Sequence, residues 1–290
     1  MSAEVHQFTV GSFACLAVSD GTFTYAPPHF PKPAATFFSN APEKQLKRTL
    51  LRHNIQPEQW SELISPYICL LVNTGNHQVL VDTGAGSLGP NTGRLLQNLK
   101  AEGIGSESID IVILTHCHPD HIGGITLDNG ALTFPNARYV LWKNEWDFWT
   151  SEGTEGKTDK HISEVLFSIA QKKLLPIQHR IDLIEHEGEI LPGIRAIAAP
   201  GHTPGHMVID IVSEGEQVLC IADTVIHPIH VEHPEWYGVV DFDPEQLEST
   251  RRRILGKAAA EKALVLAFHF PFPGLGYIVR KGDGWQWQPI

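Results

Sequence analysis

The sequence predicts an α/β fold, a sandwich assembled from two similar halves. Three observations carry this expectation. Strand-length apolar runs followed by helical segments occur twice along the 290 residues. Several of those runs end directly on metal-binding residue types. Apolar residues make up 42% of the chain, enough to bury a full core. No repeat, low-complexity stretch or linker divides it, so one domain spanning residues 1–290 is expected.

The elements read in order as follows. Residues 26–42 (APPHFPKPAATFFSNAP) hold five prolines and suggest an ordered surface loop or lid. Residues 66–82 form a hairpin turning at Gly75-Asn76. A Gly-rich loop from Asp82 to Gly93 leads into the helix RLLQNLKAEG, which Gly103 ends. IDIVIL is a continuous apolar run of buried-strand length, and ARYVLW is a further strand. Residues 143–150 and 158–173 pattern as helices. IRAIAA, MVIDIV and QVLCIAD are strands, the last two joined by a Ser-Glu-Gly-Glu turn. A helix over 244–260 starts on Pro244. ALVLAF is the last buried strand before His269.

Composition excludes several functions. Lys+Arg is 22 against 33 Asp+Glu, a formal charge of −11, which repels polyphosphate and argues against a nucleic-acid partner. No run of 18 apolar residues predicts a membrane span, and MSAEVHQFTVGSF lacks the basic and apolar regions of a secretion signal. Cys15, Cys69, Cys117 and Cys220 are scattered without a CxxC, which suits free thiols in the cytoplasm. The 16 histidines are the unusual count, because imidazole is the commonest metal ligand.

The main signal is THCHPDHIGG, residues 115–124. It places His116, His118, Asp120 and His121 within six residues, just past a buried strand that holds the backbone rigid. Histidines two apart can point the same way, while Asp120 and His121, from the following turn, can serve a second point. Gly123-Gly124 lets a helix begin close by. Further ligand-type residues follow other strands: His202 and His206 in APGHTPGH, Asp223 in IADT, and His269 in AFHFPFPG. Such placement assembles a metal site at one sheet edge.

The HxHxDH motif, the later GH, the strand-ending Asp and the C-terminal His together resemble the metallo-β-lactamase-fold superfamily. The resemblance runs roughly from VDTG (81–84) to the C-terminus. It implies an αββα four-layer sandwich with two divalent metal ions at one edge. His116, His118 and His202 would hold one metal and Asp120, His121 and His269 the other. Asp223 would bridge them and Asp82 would support the ligands. Zinc is the expected metal, with manganese, cobalt or iron as alternatives. Two cations ~3.5–4 Å apart share one hydroxide that attacks a C=O or P=O centre. The bridging Asp223 and Asp120, a proton shuttle to the leaving group, are the catalytic carboxylates.

Departures narrow the resemblance. A thiolate ligand stands near position 223 in the dizinc β-lactamases, where this chain has Asp. The 21 residues after His269 are too few for a glutathione-binding helical domain, and no room exists for a flavin domain. DTGAGSLGPNTGRLLQNLKAEG, HCHPDHIGG, GHTPGH, DFDPEQLESTRRRIL and HFPFPGLG are similar to the branch containing methyl parathion hydrolase and related lactonases and arylesterases. The substrate implied is a small neutral lactone, aryl ester or organophosphate triester, with lactone or aryl ester hydrolysis as the main activity. Two features of the branch are missing: an aromatic beside Leu88 and the Tyr that often follows the bridging Asp in N-acyl homoserine lactonases.

Trp149 of the Asp147-Phe148-Trp149 string is weighed between pocket and core. Leu88 and Ile226 are further pocket candidates. Phe37 and Phe38 suggest a lid or a dimer contact, and a homodimer is expected. His206 is read as structural, and so is Cys117 between two ligands. His227, His230 and His233 mimic a metal stripe, but Pro228 and Pro234 interrupt any helix there. The competing functions are a mononuclear iron enzyme acting on sulfur substrates and a non-catalytic scaffold. Metal identity separates the first, since zinc has no redox chemistry. The full set of seven ligand-type residues argues against the second.

Overall fold

A computed structural model describes residues 4–151 and 160–290. Two seven-stranded sheets form its centre. The first contains β1 (Val5–Val10), β2 (Phe13–Tyr25), β3 (Leu63–Asn73), β4 (Gln78–Val81), β5 (Ile111–Ile113), β6 (Arg138–Trp142) and β7 (Ile181–Ile184), in that spatial order. β1 to β4 pair antiparallel, and β4 to β7 pair parallel. The second contains β8 (Gly188–Leu191), β9 (Ile194–Ala198), β10 (Met207–Ser213), β11 (Glu216–Cys220), β12 (Leu264–Leu266), β13 (Leu275–Lys281) and β14 (Gly284–Pro289). All its pairs are antiparallel except β11 with β12.

The helices are α1 (Pro33–Phe37), α2 (Glu43–Arg52), α3 (Leu95–Ala101), α4 (Pro119–Ile122), α5 (Lys143–Thr150), α6 (Lys160–Leu174), α7 (Ile229–Glu232) and α8 (Pro244–Glu261). Strand alternation gives each sheet two apolar faces. The inner faces meet in one core, where Ile68, Leu70 and Val79 share a cluster with Ile209, Val218 and Leu266. The outer face of the first sheet buries Leu80 and Val112 with Leu99 of α3 and Ala170 of α6. The outer face of the second buries Leu219 and Val265 with Ile254 and Leu255 of α8. Helix, sheet, sheet and helix therefore stack as the expected αββα sandwich. No helix among the described residues is long and apolar enough to cross a membrane.

Two backbone details shape the site's edge. The β2–β3 register slips between Ser19 and Gly21, a bulge that leaves Asp20 pointing at the Gly-rich loop. Its carboxylate accepts the N–H groups of Ala85, Gly93 and Leu95 at 2.8, 3.2 and 3.0 Å. Gly123 and Gly124 are required by close approach: a Cβ would lie 2.1 Å from Ala85 O and Thr83 O, respectively.

The predicted elements are present, with trimmed ends. The IDIVIL run is hydrogen-bonded as a strand only over β5. QVLCIAD stops at Cys220 because Ala222 takes φ +40° and opens a tight turn. Residues 158–159 of the predicted second helix lie outside the described residues. The Pro-rich stretch is ordered and contains α1, and Phe37 and Phe38 are buried within the same chain. They present no apolar surface to a second copy. All four cysteines are buried free thiols.

Candidate metal centre

The predicted ligands converge. Ligand atoms of His116, His118, His202 and Asp223 form one group and those of Asp120, His121 and His269 a second, each within 4.8 Å. Asp223 stands between the groups. Its Oδ2 lies 3.2 Å from His202 Nε2, 3.8 Å from His116 Nε2 and 3.1 Å from His269 Nε2. Its Oδ1 lies 3.1 Å from His121 Nε2. Asp120 Oδ2 is 3.4 Å from His269 Nε2 and 3.8 Å from His121 Nε2.

The backbone aims these side chains. His116 and His118 follow β5, and α4 begins with Pro119, so Asp120 and His121 come from its single turn. Asp82 follows β4 in the left-handed region at φ +61°, a conformation that costs a non-glycine residue about 1–2 kcal/mol. There its carboxylate accepts Thr115 N–H at 2.8 Å and lies 2.8 Å from His121 Nδ1. The expected supporting role of Asp82 matches this contact.

Three further ring nitrogens are also held. His202 Nδ1 lies 2.6 Å from Asp241 Oδ1, His269 Nδ1 2.9 Å from Ser65 Oγ, and His116 Nδ1 3.2 Å from Thr115 Oγ1. Such partners fix ring orientation and tautomer. His206 joins no ligand group; its Nε2 accepts the N–H of Asp223 at 3.1 Å. Burial pushes its pKa down to about 3, so the ring is neutral and able to accept.

The donor set fits divalent cations. His116 Nε2 is buried without a hydrogen-bond partner, and His121 Nε2 and Asp223 Oδ1 face each other at 3.1 Å without hydrogen-bond geometry, a costly arrangement that cations would relieve. His118 Nδ1 and His202 Nε2 face each other at 2.9 Å. Burial holds His116 and His118 well below the usual histidine range, neutral as a ligand must be. Burial opposes charge on His202 too, but its hydrogen bonds to Asp223 and Asp241 win and push it up to about 9. The site thus favours positive charge between His202 and Asp223. Seven donor residues, six of them around the Asp223 carboxylate, support two divalent cations.

Sequence reasoning missed several residues. Glu145 of α5, fully buried, accepts Cys117 N–H at 2.9 Å, Gly205 N–H at 2.8 Å and Trp149 Nε1–H at 2.6 Å. It ties the 115–121 loop to the 201–206 loop. Arg251 of α8, also fully buried, donates to Thr224 O at 2.7 Å and lies 3.8 Å from Asp241. No motif marked these groups; the only sequence signal is charge at positions otherwise patterned as helix.

A cavity of about 340 Å³ opens on the two groups. Leu88 and Ile226 line it, as the sequence suggested. Trp149 does not: it is 2% exposed, packs on Phe148 and Phe167, and reaches the centre only through an edge contact with the His118 ring. The helical spacing that marked a core face outweighed the pocket reading. The aromatic wall comes instead from Phe23, Tyr25, Phe30, Phe37 and Tyr67, facing Val165, Leu166 and Ile169 of α6. His227 and His230 are buried and belong to neither group; His230 Nε2 lies 2.9 Å from Phe37 O. His233 stacks on Trp236.

Comparison with known proteins agrees with this geometry. Residues 67–269 match the sequence pattern of the metallo-beta-lactamase superfamily. An N-acyl homoserine lactonase from a Bacillus species is 25% identical over 256 residues, covering 80% of this chain and 92% of that protein. Another from Bacillus thuringiensis is 26% identical over 227 residues, covering 70% and 81%. Among solved structures, the hydrolase AbOPH of the beta-lactamase superfamily superposes with a TM-score of 0.89 at 29% identity, covering 100% of this chain and 98% of that one. AidC, a dizinc quorum-quenching lactonase solved with the product N-hexanoyl-L-homoserine, gives 0.89 at 28% identity, covering 99% and 97%.

Proposed function

Because the chain belongs to the metallo-β-lactamase superfamily, we propose that it hydrolyses small neutral lactones, and aryl esters or organophosphate triesters more weakly. The carrying observation is an aromatic and aliphatic cavity opening directly on the seven-residue centre. No Lys or Arg lines it among the described residues, so its walls away from the metal ligands favour a neutral acyl or aryl group. The similarity to named lactonases supports the same reading.

His116, His118 and His202 would hold one cation, Asp120, His121 and His269 the other, with Asp223 shared. Zinc is the proposed metal. Bound cations supply Lewis acidity, which acidifies water and polarises the attacked carbonyl. The chain's own residues do the rest. Asp82, Asp241, Ser65 and Thr115 orient the imidazoles. Leu88, Ile226 and the aromatic wall hold the acyl or aryl part and exclude water. Asp120, 14% exposed at its side chain and lining the cavity, is placed to take the proton that water loses on attack and pass it to the departing oxygen.

The test is turnover of lactones, aryl esters and phosphotriesters by metal-loaded protein, alongside elemental analysis. The expected result is two metals per chain and highest kcat/KM on a lactone. Turnover of penicillin or RNA above every neutral ester would overturn the reading.

A further inference from the structure

Two tyrosines on the cavity wall have a proton that the protein does not use. Tyr25 ends β2 and Tyr67 lies within β3, and their hydroxyls meet at 3.0 Å. Two hydroxyls carry two protons, and their mutual bond engages one. Among the described residues no other hydrogen bond involves either hydroxyl. The pair therefore has one O–H free on a cavity wall that also contains His118, Asp120, His202, Asp223 and His269.

The pair's position is fixed from several sides. Strand alternation puts Ser65 and Tyr67 on one face of β3. Ser65 holds His269, and the Tyr67 ring packs edge-on against that same imidazole at 5.3 Å. The Tyr25 ring is fixed by Phe23, Phe30 and Phe37, with centroids 4.9, 4.9 and 5.1 Å away. A phenol has an ordinary pKa of about 10 and carries its proton at neutral pH. Both therefore stay protonated, and a neutral phenol whose partner also donates is polarised into a better donor.

Resting on the hydrolase reading, we infer that the Tyr25–Tyr67 pair is a catalytic hydrogen-bond donor to a substrate oxygen. It holds the acyl oxygen on the side of the cavity next to His269, and no proton is transferred. Either tyrosine can supply an outward O–H once the other is lost, but without its partner's polarisation, so each single loss is partial.

The test compares Tyr25→Phe, Tyr67→Phe and the double variant with the wild type, on an N-acyl homoserine lactone and on 4-nitrophenyl acetate. Metal content, thermal midpoint and calorimetric affinity for the ring-opened lactone product are measured beside kcat/KM. The singles should lose about 3- to 10-fold, the scale of one neutral hydrogen bond. The double variant should lose about 100-fold, as when an oxyanion donor is removed. Product affinity should fall in parallel, with two metals still bound. A folded, metal-replete double variant within twofold of wild type on both substrates overturns the inference. If the double variant does not fold, singles with wild-type turnover and product affinity overturn it equally. A wild type that turns over neither substrate overturns the hydrolase reading and the inference with it.

Discussion

Asp241 Oδ1 lies 2.6 Å from His202 Nδ1, while Asp241 Oδ2 accepts the Gly238 N–H at 2.7 Å. Both carboxylate oxygens are therefore committed to donors. Asn at 241 would keep the shape but set an N–H₂ against one of them. Asp241→Asn is expected to weaken one of the two metals about 10- to 100-fold, leaving the other near wild type. Competition with a chromogenic chelator measures both steps. Unchanged affinity at both would show that Asp241 does not position His202.

Asp223 is the carboxylate whose oxygens reach histidines of both groups. Asp223→Ala should therefore lower bound metal from two per chain towards none at near-stoichiometric metal. In the wild type, chelation should lower Tm, because cations held only by the folded chain stabilise it by mass action. The variant should show no such shift. One metal bound normally in this variant would remove Asp223 from the shared position.

Trp149→Ala tests the corrected placement of that ring. It opens a core cavity and strips Glu145 of a donor, so stability should fall by about 3–5 kcal/mol in denaturant titrations. Any activity loss should be equal on aromatic and aliphatic substrates. Phe37→Ala, on the cavity wall, should instead raise KM for aryl esters more than for aliphatic lactones. A substrate-selective loss in the Trp149 variant would return it to the pocket.

Burial, with His53 nearby, pushes His227 down to about 3 from an unfolded value near 6.5. Between those values the unfolded chain holds a proton that the folded chain refuses. This contribution to stability is complete above about pH 6.5 and is lost as pH falls towards 3. His227→Gln should flatten the pH dependence of unfolding free energy by about 1.4 kcal/mol per pH unit across that window. Denaturant melts at pH 4, 5 and 6 measure it. An unchanged slope would mean that His227 is protonated in the folded protein.

The sandwich and the seven candidate ligands were legible because both leave local signatures. Buried strands read as apolar runs, and ligands follow their ends within a few residues. The supporting groups left none. Asp241 and Glu145 lie 39 and 28 residues from the His202 and Cys117 groups they bind, and only the packing of the sheets brings them together. Tyr25, Phe30 and Phe37 belong to the first 62 residues, where the sequence showed only a Pro-rich stretch. β2 escaped notice because its thirteen residues mix Ser, Asp, Gly and Thr among the apolar positions and carry a bulge.

The cavity's aromatic wall and its α6 wall share a property with a consequence of its own. Among the described residues, neither β2, nor the 26–42 segment, nor α6 contributes a candidate ligand. Holding the metals and shaping the far walls of the cavity thus fall to different stretches of chain, while Leu88 and Ile226 line it from loops close to the ligands. Exchanging residues such as Phe30 or Val165 retunes what enters while the strand-end loops, clasped by Glu145, keep their geometry. A lineage built this way can change diet by substitutions in two segments, without passing through a form that has lost its chemistry.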